Sequence, residues 1–497
     1  MAALLRRHGA KLAVSAALAA IAAVAAIAGL YLAYPGYVDH TEPSIAALSW
    51  RLMEGYPVYH GLDHPDRTSI PYGPLAYGVH AAIFALFGGS LATGKLAGLA
   101  SALFVPLLFL IGWRRRGLVY ASAASLLASG FVLLLIPFSV WNRPDPFIVL
   151  FVAAALWAMN SAEKEKPEWA KTLIIAAAGG LAVNLKIHAG IYFIPIAFLH
   201  CHGRGFTRFL ALSLAGAAVA AAPFAFSPFS LADYTAWFSL QAAGKAFSPE
   251  SYGPVLKKAL LYLIPALVFF PALKSAGDAV GKEGKIYFWS YIVSLLALVP
   301  LAARPGGGHY YLYPFFPLAI DMTLRFAGNS RFARFSTATL TVAAVFVLML
   351  SVPVQKRFLR HLDWPLATSI HTEIDDIIVR YSGQTIEMGY GGKPAGGSSY
   401  KLTYYKSLLV MAGNPYSLDA TAGAEMLKLG VAFPEAAIER IRACRTDLWL
   451  VPKGEAPFAM RSYYGEPAFP EVFRQAFLGA YKKSASFSHF DLWACRE

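Results

Sequence analysis

Residues 6–43 read RRHGAKLAVSAALAAIAAVAAIAGLYLAYPGYVDHTEP, and their interpretation decides the fold. Leu12 to Tyr34 is an apolar, alanine-rich run longer than a signal-peptide core, preceded by Arg6, Arg7 and Lys11. A helix of about 20 apolar residues crosses a bilayer. No clear cleavage site precedes the polar stretch at Asp39, so the run is expected to remain as a membrane anchor. Further apolar runs of spanning or near-spanning length follow at 91–113, 117–140, 146–160, 171–184, 188–200, 208–226, 257–273, 286–302, 310–326 and 336–353. The shorter ones require tilted or half-buried helices.

Composition agrees with this pattern. Of 497 residues, 57% are hydrophobic and only 14% charged, against about 25% charged in an average soluble domain. Disordered, fibrous and ordinary cytosolic classes are excluded, and a polytopic α-helical membrane protein is expected. Three cysteines are too few for a disulfide framework. The formal charge of +14 is distributed by topology. The segment Tyr72–Phe87 is also apolar. If it lies at the interface instead of crossing, the loops 6–11, 114–116, 163–171, 204–208, 274–285 and 325–334 all fall on one side. Together they carry 17 Lys and Arg against 5 acids, whereas the opposite segments before residue 354 carry 9 against 8. The positive-inside rule then gives about eleven transmembrane helices, a cytoplasmic N-terminus and interfacial helices on the outer face. Basic residues that alternate with spans form no nucleic-acid stripe, so no nucleic-acid partner is expected.

After Pro353 the composition becomes that of a soluble domain, with 17 basic and 15 acidic residues over 354–497 and short β-like runs such as Asp447–Pro452. The expected organisation is a transmembrane domain over 1–353 and an outer soluble α/β or α+β domain over 354–497. The segment Gly389–Gly397 reads as a mobile loop, not a nucleotide site. An oxidising exterior allows a disulfide between Cys444 and Cys495; two separate reduced thiols are the alternative.

Polar residues at a membrane face are costly, so their clustering carries information. The first outer loop holds Asp39, His40 and Glu42 directly after the anchor. Two carboxylates three residues apart suit general-base or electrostatic work. Glu42-Pro43 also suits the first turn of the following helix, where an acid complements the helix dipole. Asp39 has no comparable structural excuse. The second outer loop, Trp141-Asn-Arg143-Pro-Asp145-Pro146, places an Arg and an Asp between strongly apolar helices; they must be paired, solvated or functional, and Asp145 could simply start the next helix. Lys186 and His188 occupy the next outer turn, and Arg304-Pro-Gly-Gly-Gly308-His309-Tyr310-Tyr311 the fifth outer loop. Such cations and hydroxyls suit a lipid-linked phosphate, against headgroup snorkelling and an aromatic belt. The triple glycine would bring backbone N–H groups within reach of an anion. There is no HExxH, CxxC, GxSxG or kinase pattern.

The order of these elements resembles that of the GT-C glycosyltransferases, most closely the glycosyltransferase family 39-like branch of protein O-mannosyltransferases and bacterial aminoarabinose transferases. The motifs are the acidic first loop, Pro71-Tyr72-Gly-Pro-Leu75, Phe87-Gly-Gly-Ser90, Trp113-Arg-Arg-Arg116, Arg143-Pro-Asp145, Leu185-Lys186 and His309-Tyr-Tyr-Leu-Tyr-Pro-Phe-Phe-Pro317. They span about the first 350 residues. The resemblance implies transfer of a hexosyl or pentosyl group, with inversion, from a polyprenyl-phosphate-linked donor to an acceptor hydroxyl at the outer face of a bacterial inner membrane. It implies Asp39, Glu42 and Asp145 as catalytic carboxylates, and Lys186, Arg304, His309 and Tyr310 as donor-phosphate contacts. His40, Arg143, His188 and Tyr72 are candidate substrate-binding residues. No cofactor is required; a divalent metal would need several carboxylates around it. Relatives carry adjacent acids where this chain has Thr41-Glu42, so the choice of base lies between Asp39 and Glu42, with Asp39 favoured. The acceptor would be a lipid, a glycan or a protein. Competing readings are a polysaccharide polymerase or ligase using lipid-linked oligosaccharide, a lipid-linked sugar flippase, and a non-catalytic scaffold. The absence of internal repeats and of mid-span charge clusters speaks against the flippase.

Overall fold

The computed structural model describes residues 2–68, 70, 72–161, 167–244, 249–275, 281–329, 333–393, 398–462 and 464–496. Pro71 of the proline-led motif, parts of three basic loops and residues 394–397 lie outside that set. The helices are α1 (Ala2–Ala33), α2 (Thr41–Met53), α3 (Pro74–Phe87), α4 (Leu91–Gly112), α5 (Leu118–Leu134), α6 (Pro144–Asn160), α7 (Glu168–Leu185), α8 (Gly190–Cys201), α9 (Phe206–Ala221), α10 (Leu231–Gly244), α11 (Pro249–Ser275), α12 (Gly281–Ala302), α13 (Phe316–Asn329), α14 (Ala333–His361) and α15 (Trp364–Arg380). Each apolar run predicted above coincides with one helix. By length and composition, Ala10–Ala33, Leu91–Gly112, Phe206–Ala225, Lys282–Ala302 and Thr339–Arg380 suffice to cross a membrane. The chain is a multi-pass membrane protein.

Two run boundaries differ from expectation. The run 117–140 is helical only to Leu134, because Pro137 removes a backbone donor. The loop before α6 therefore opens near residue 135. Residues 309–315 form a 3-10 turn, and α13 begins only at Phe316.

The chain forms two compact units that do not follow chain order. One comprises 1–32, 98–223 and 246–361, in which α5 packs on α14, α7 on α6 and α9, and α8 on α12. The other comprises 33–97, 224–245 and 362–497. Besides α2, α3, α10 and α15 it contains α16 (Lys406–Met411), α17 (Ala420–Lys428), α18 (Glu435–Arg442) and α19 (Glu471–Ala480).

This second unit carries a four-stranded sheet of β1 (Ile386–Met388), β3 (Leu448–Pro452), β6 (Phe490–Cys495) and β5 (Tyr481–Ser486), in that spatial order. β1 runs parallel to β3, and the other pairs are antiparallel. Its core is aromatic, with Trp449, Phe458, Phe473, Phe477 and Tyr481 in mutual edge and stacked contacts. Cys444 and Cys495 are joined by a disulfide, their Cα atoms 5.8 Å apart. The glycine-rich segment is not wholly a loop. Gly391–Gly392 form β2, paired antiparallel with β4 (Ala456–Pro457), where a Cβ on Gly392 would meet the Ala459 backbone.

Candidate functional site

In the first unit, the site grows from the loop before α6. Arg143 is extended and Pro144 starts the helix at its favoured position, so Asp145 falls in the first turn. α7 ends at Leu185, and Lys186 leaves it in extended conformation. Gly98 of α4 lets that helix approach the Trp141 carbonyl, which a Cβ would strike. The result is a buried triad. Lys186 Nζ donates to Asp145 Oδ1 at 2.7 Å, and Arg143 Nε lies 3.8 Å from Asp145 Oδ2. All three residues are almost wholly buried.

An aromatic wall encloses the triad. The Arg143 guanidinium lies 4.2 Å from the Trp141 ring and 4.6 Å from Tyr310, and Lys186 Nζ lies 5.2 Å from Tyr310 and 5.3 Å from Tyr311. His188 stacks on Tyr311 with ring centres 4.5 Å apart. His309 meets Phe138, which itself packs on Trp141. Arg143, Asp145, Lys186, His188, His309 and Tyr310 are thus one neighbourhood. Arg304 is half-buried, and among the described residues no hydrogen bond or ion pair joins its side chain to the triad. The glycine turn also differs from expectation: the Gly307 N–H is taken by the Arg304 carbonyl at 2.8 Å, and the Tyr310 hydroxyl donates to Gly306 O.

In the second unit, Asp39, His40 and Glu42 lie at the start of α2. Glu42 is fully buried and its Oε1 accepts the backbone N–H groups of Val38 and Asp39 at 3.1 and 3.0 Å. It reaches back over the helix start in the manner of a capping-box acid. Asp39 Oδ1 accepts from Thr41 N at 3.0 Å, while Oδ2 lies 3.5 Å from His40 Nδ1. The Asp39 side chain keeps 17% of its exposure and that of His40 38%. Tyr400 approaches the His40 ring, and the Tyr404 hydroxyl is pushed up by burial and then by the charges of Asp39 and Glu42. The C-terminal segment therefore supplies side chains to the first loop. Tyr72 lies elsewhere in this unit, its carbonyl accepting the Tyr59 hydroxyl.

Two features escaped the sequence reading. Lys95 sits inside an apolar run and is fully buried; it donates to Tyr34 O at 2.5 Å, lies near the Tyr37 ring, and feels the Glu42 charge. A lysine in an otherwise apolar window was the available signal. Asp419 is the second. It caps α17 through Thr421 N and Ala422 N, and its other oxygen accepts Ser44 Oγ (2.7 Å), Lys406 Nζ (2.5 Å) and Tyr416 Oη (2.7 Å). These donors, Lys406 above all, hold its carboxyl well below the usual aspartate range against the opposing effect of burial. No local pattern announces it, because its partners lie up to 375 residues away.

Residues 63–231 match the family described as dolichyl-phosphate-mannose-protein mannosyltransferase. The structure is similar to that of ArnT from Cupriavidus metallidurans in the apo state, with TM-score 0.57 and 13% identity over 96% of this chain and 97% of that one. The family match covers less than half of the chain, and at 13% identity the structural likeness is one of fold. The same ArnT bound to undecaprenyl phosphate matches this chain with TM-score 0.56, 13% identity and the same coverage. An oligosaccharyltransferase from Archaeoglobus fulgidus overlaps at TM-score 0.48 and 12% identity, over 87% of this chain and 68% of that one. No curated protein matches the chain at a significant level.

Proposed function

We propose that this chain transfers a sugar from a polyprenyl-phosphate-linked donor to an acceptor hydroxyl, with inversion, at the outer face of a bacterial inner membrane. The observation that carries the reading is the buried Arg143–Asp145–Lys186 triad behind its aromatic wall. Two cations held by a single carboxylate at the ends of membrane helices form a site that can exchange its internal counter-ion for a phosphate. The similar ArnT structure bound to undecaprenyl phosphate supports that ligand class.

The chemistry follows from the two sets of residues. The acceptor hydroxyl attacks the anomeric carbon, its oxygen forming the new glycosidic bond as the bond to the phosphate oxygen breaks. Asp39, whose carboxylate keeps some exposure, takes the hydroxyl proton. Lys186 and Arg143 neutralise the charge that collects on the departing polyprenyl phosphate, with Arg304, His309 and Tyr310 as further donor contacts. Glu42 positions the Asp39 backbone. This arrangement implies a cytoplasmic N-terminus and an extracytoplasmic C-terminal segment. The test is incubation of purified protein with a panel of radiolabelled polyprenyl-phosphate hexoses and pentoses plus membrane acceptors. Transfer or slow donor hydrolysis is expected; neither with any donor, together with donor movement in vesicles, would favour a flippase.

A further inference from the structure

The loop that follows α2 holds a cluster with no task in sugar transfer. His60, His64 and Asp66 each offer one ligand atom, all within 4.8 Å of one another. The two imidazoles stack, with centres 4.3 Å apart and planes 13° from parallel. His60 and Asp66 are 5% and 6% exposed. His60 Nε2 is enclosed and has no hydrogen-bond partner among the described residues. An unsatisfied buried polar atom is destabilising and calls for an explanation.

The surroundings hold these donors in place. The Trp237 indole donates to the His60 carbonyl at 2.6 Å. Arg440 Nη1 reaches Asp66 Oδ1 at 2.5 Å, and Arg51 Nη1 lies 3.5 Å from Oδ2. The Arg67 guanidinium ties the carbonyls of His64 and Leu62 at 2.6 and 2.5 Å. Asp233, from α10, is close enough to act electrostatically on His60.

We propose that His60, His64 and Asp66 bind one divalent transition-metal ion of the zinc class. Two imidazoles and a carboxylate are the donor set such ions prefer. Ligand distances of about 2.0–2.2 Å require the donors to close toward one another. The half-buried His64 ring can turn to do so, its Nδ1 lone pair passing from the Asp66 N–H, now 3.1 Å away, to the metal. Arg440 then serves as the outer partner that orients the ligating carboxylate. Asp233 or water completes the coordination. The role is structural, fastening the loop 60–66 within its own unit. Anion binding fits the cluster less well, since Arg51 and Arg440 already engage Asp66.

The full chain, purified through a tag without histidines and stripped with EDTA, is titrated with ZnCl2 alone by calorimetry, and with Co2+ for its visible spectrum. One ion per chain, a tetrahedral cobalt spectrum and a raised Tm are expected. His60→Gln and His64→Gln should each weaken zinc binding more than about 100-fold, beyond the 10–100-fold typical of an outer partner. His371→Gln, at a half-buried histidine on α15, should leave it unchanged. If His60→Gln fails to fold, the His64→Gln titration decides. No saturable zinc binding, or equal affinity in the His64 variant, overturns the proposal, and neither result depends on transferase activity.

Discussion

Asp145 and Asp39 are both acids at the start of a helix, yet their surroundings are opposite. Asp145 is enclosed, touched by one ammonium and one guanidinium, and walled by Trp141, Tyr310 and Tyr311. Asp39 keeps partial exposure, accepts the Thr41 N–H and lies beside a half-exposed histidine. A carboxylate in the first setting orders cations, because its charge is already compensated. In the second setting, a carboxylate can still receive a proton from a newcomer. In the proposed mechanism Asp145 organises the phosphate side and Asp39 serves as the acceptor-side base, a division that two aspartates in a sequence do not disclose.

The strongest way to break this division is Asp39→Asn. It should reduce transfer by about 100- to 10,000-fold, the range for losing a general base, while donor binding persists; undiminished transfer would remove Asp39 from the chemistry. Next comes Asp419→Ala, which strands the buried Lys406 ammonium and leaves Ser44, Tyr416 and two N–H groups without their acceptor. Breaking a buried pair in this way costs about 3–5 kcal/mol, read by denaturant or thermal unfolding in detergent. Its pH signature has a definite sign. The folded carboxyl lies below its ordinary value of 3.8, so its stabilisation is complete above that pH and lost as pH falls below it. The variant should lack this acid limb.

Lys186→Ala should lower kcat by about 100- to 1,000-fold, as expected for one preorganised charge contact. Donor use should suffer more than acceptor use, and equal loss on both would argue against phosphate contact. The smallest effect belongs to Glu42→Gln. The amide oxygen can still accept from Val38 and Asp39, so the change should remove about 1 kcal/mol of stability and leave more than a tenth of the rate. A loss as deep as that of Asp39→Asn would transfer the role of base to Glu42.

Much of the fold was readable in advance because hydrocarbon imposes a length on every span and leaves apolar runs as its record. The helices α5 and α6 appear where runs 117–140 and 146–160 stand, and α5 ends early only where Pro137 intervenes. The positions of Asp39, Asp145 and Lys186 were legible because polar residues between apolar helices are conspicuous. Lys95 was not, since one charge inside a run reads as tolerable noise. Asp419 was not, since it looks like any helix cap. The ion pair of Arg143 with Asp145 appears only after the loop before α6 turns.

By itself, then, the amino-acid order determined the membrane class and the apolar runs that become helices, both consequences of local hydropathy. Tertiary structure alone decided that residues 33–97 share a compact unit with 362–497. It also decided that Lys186 finds Asp145 across 41 residues and Ser44 finds Asp419 across 375. Buried charges must be paired wherever the fold places them, and no local pattern specifies which distant residue will be the partner.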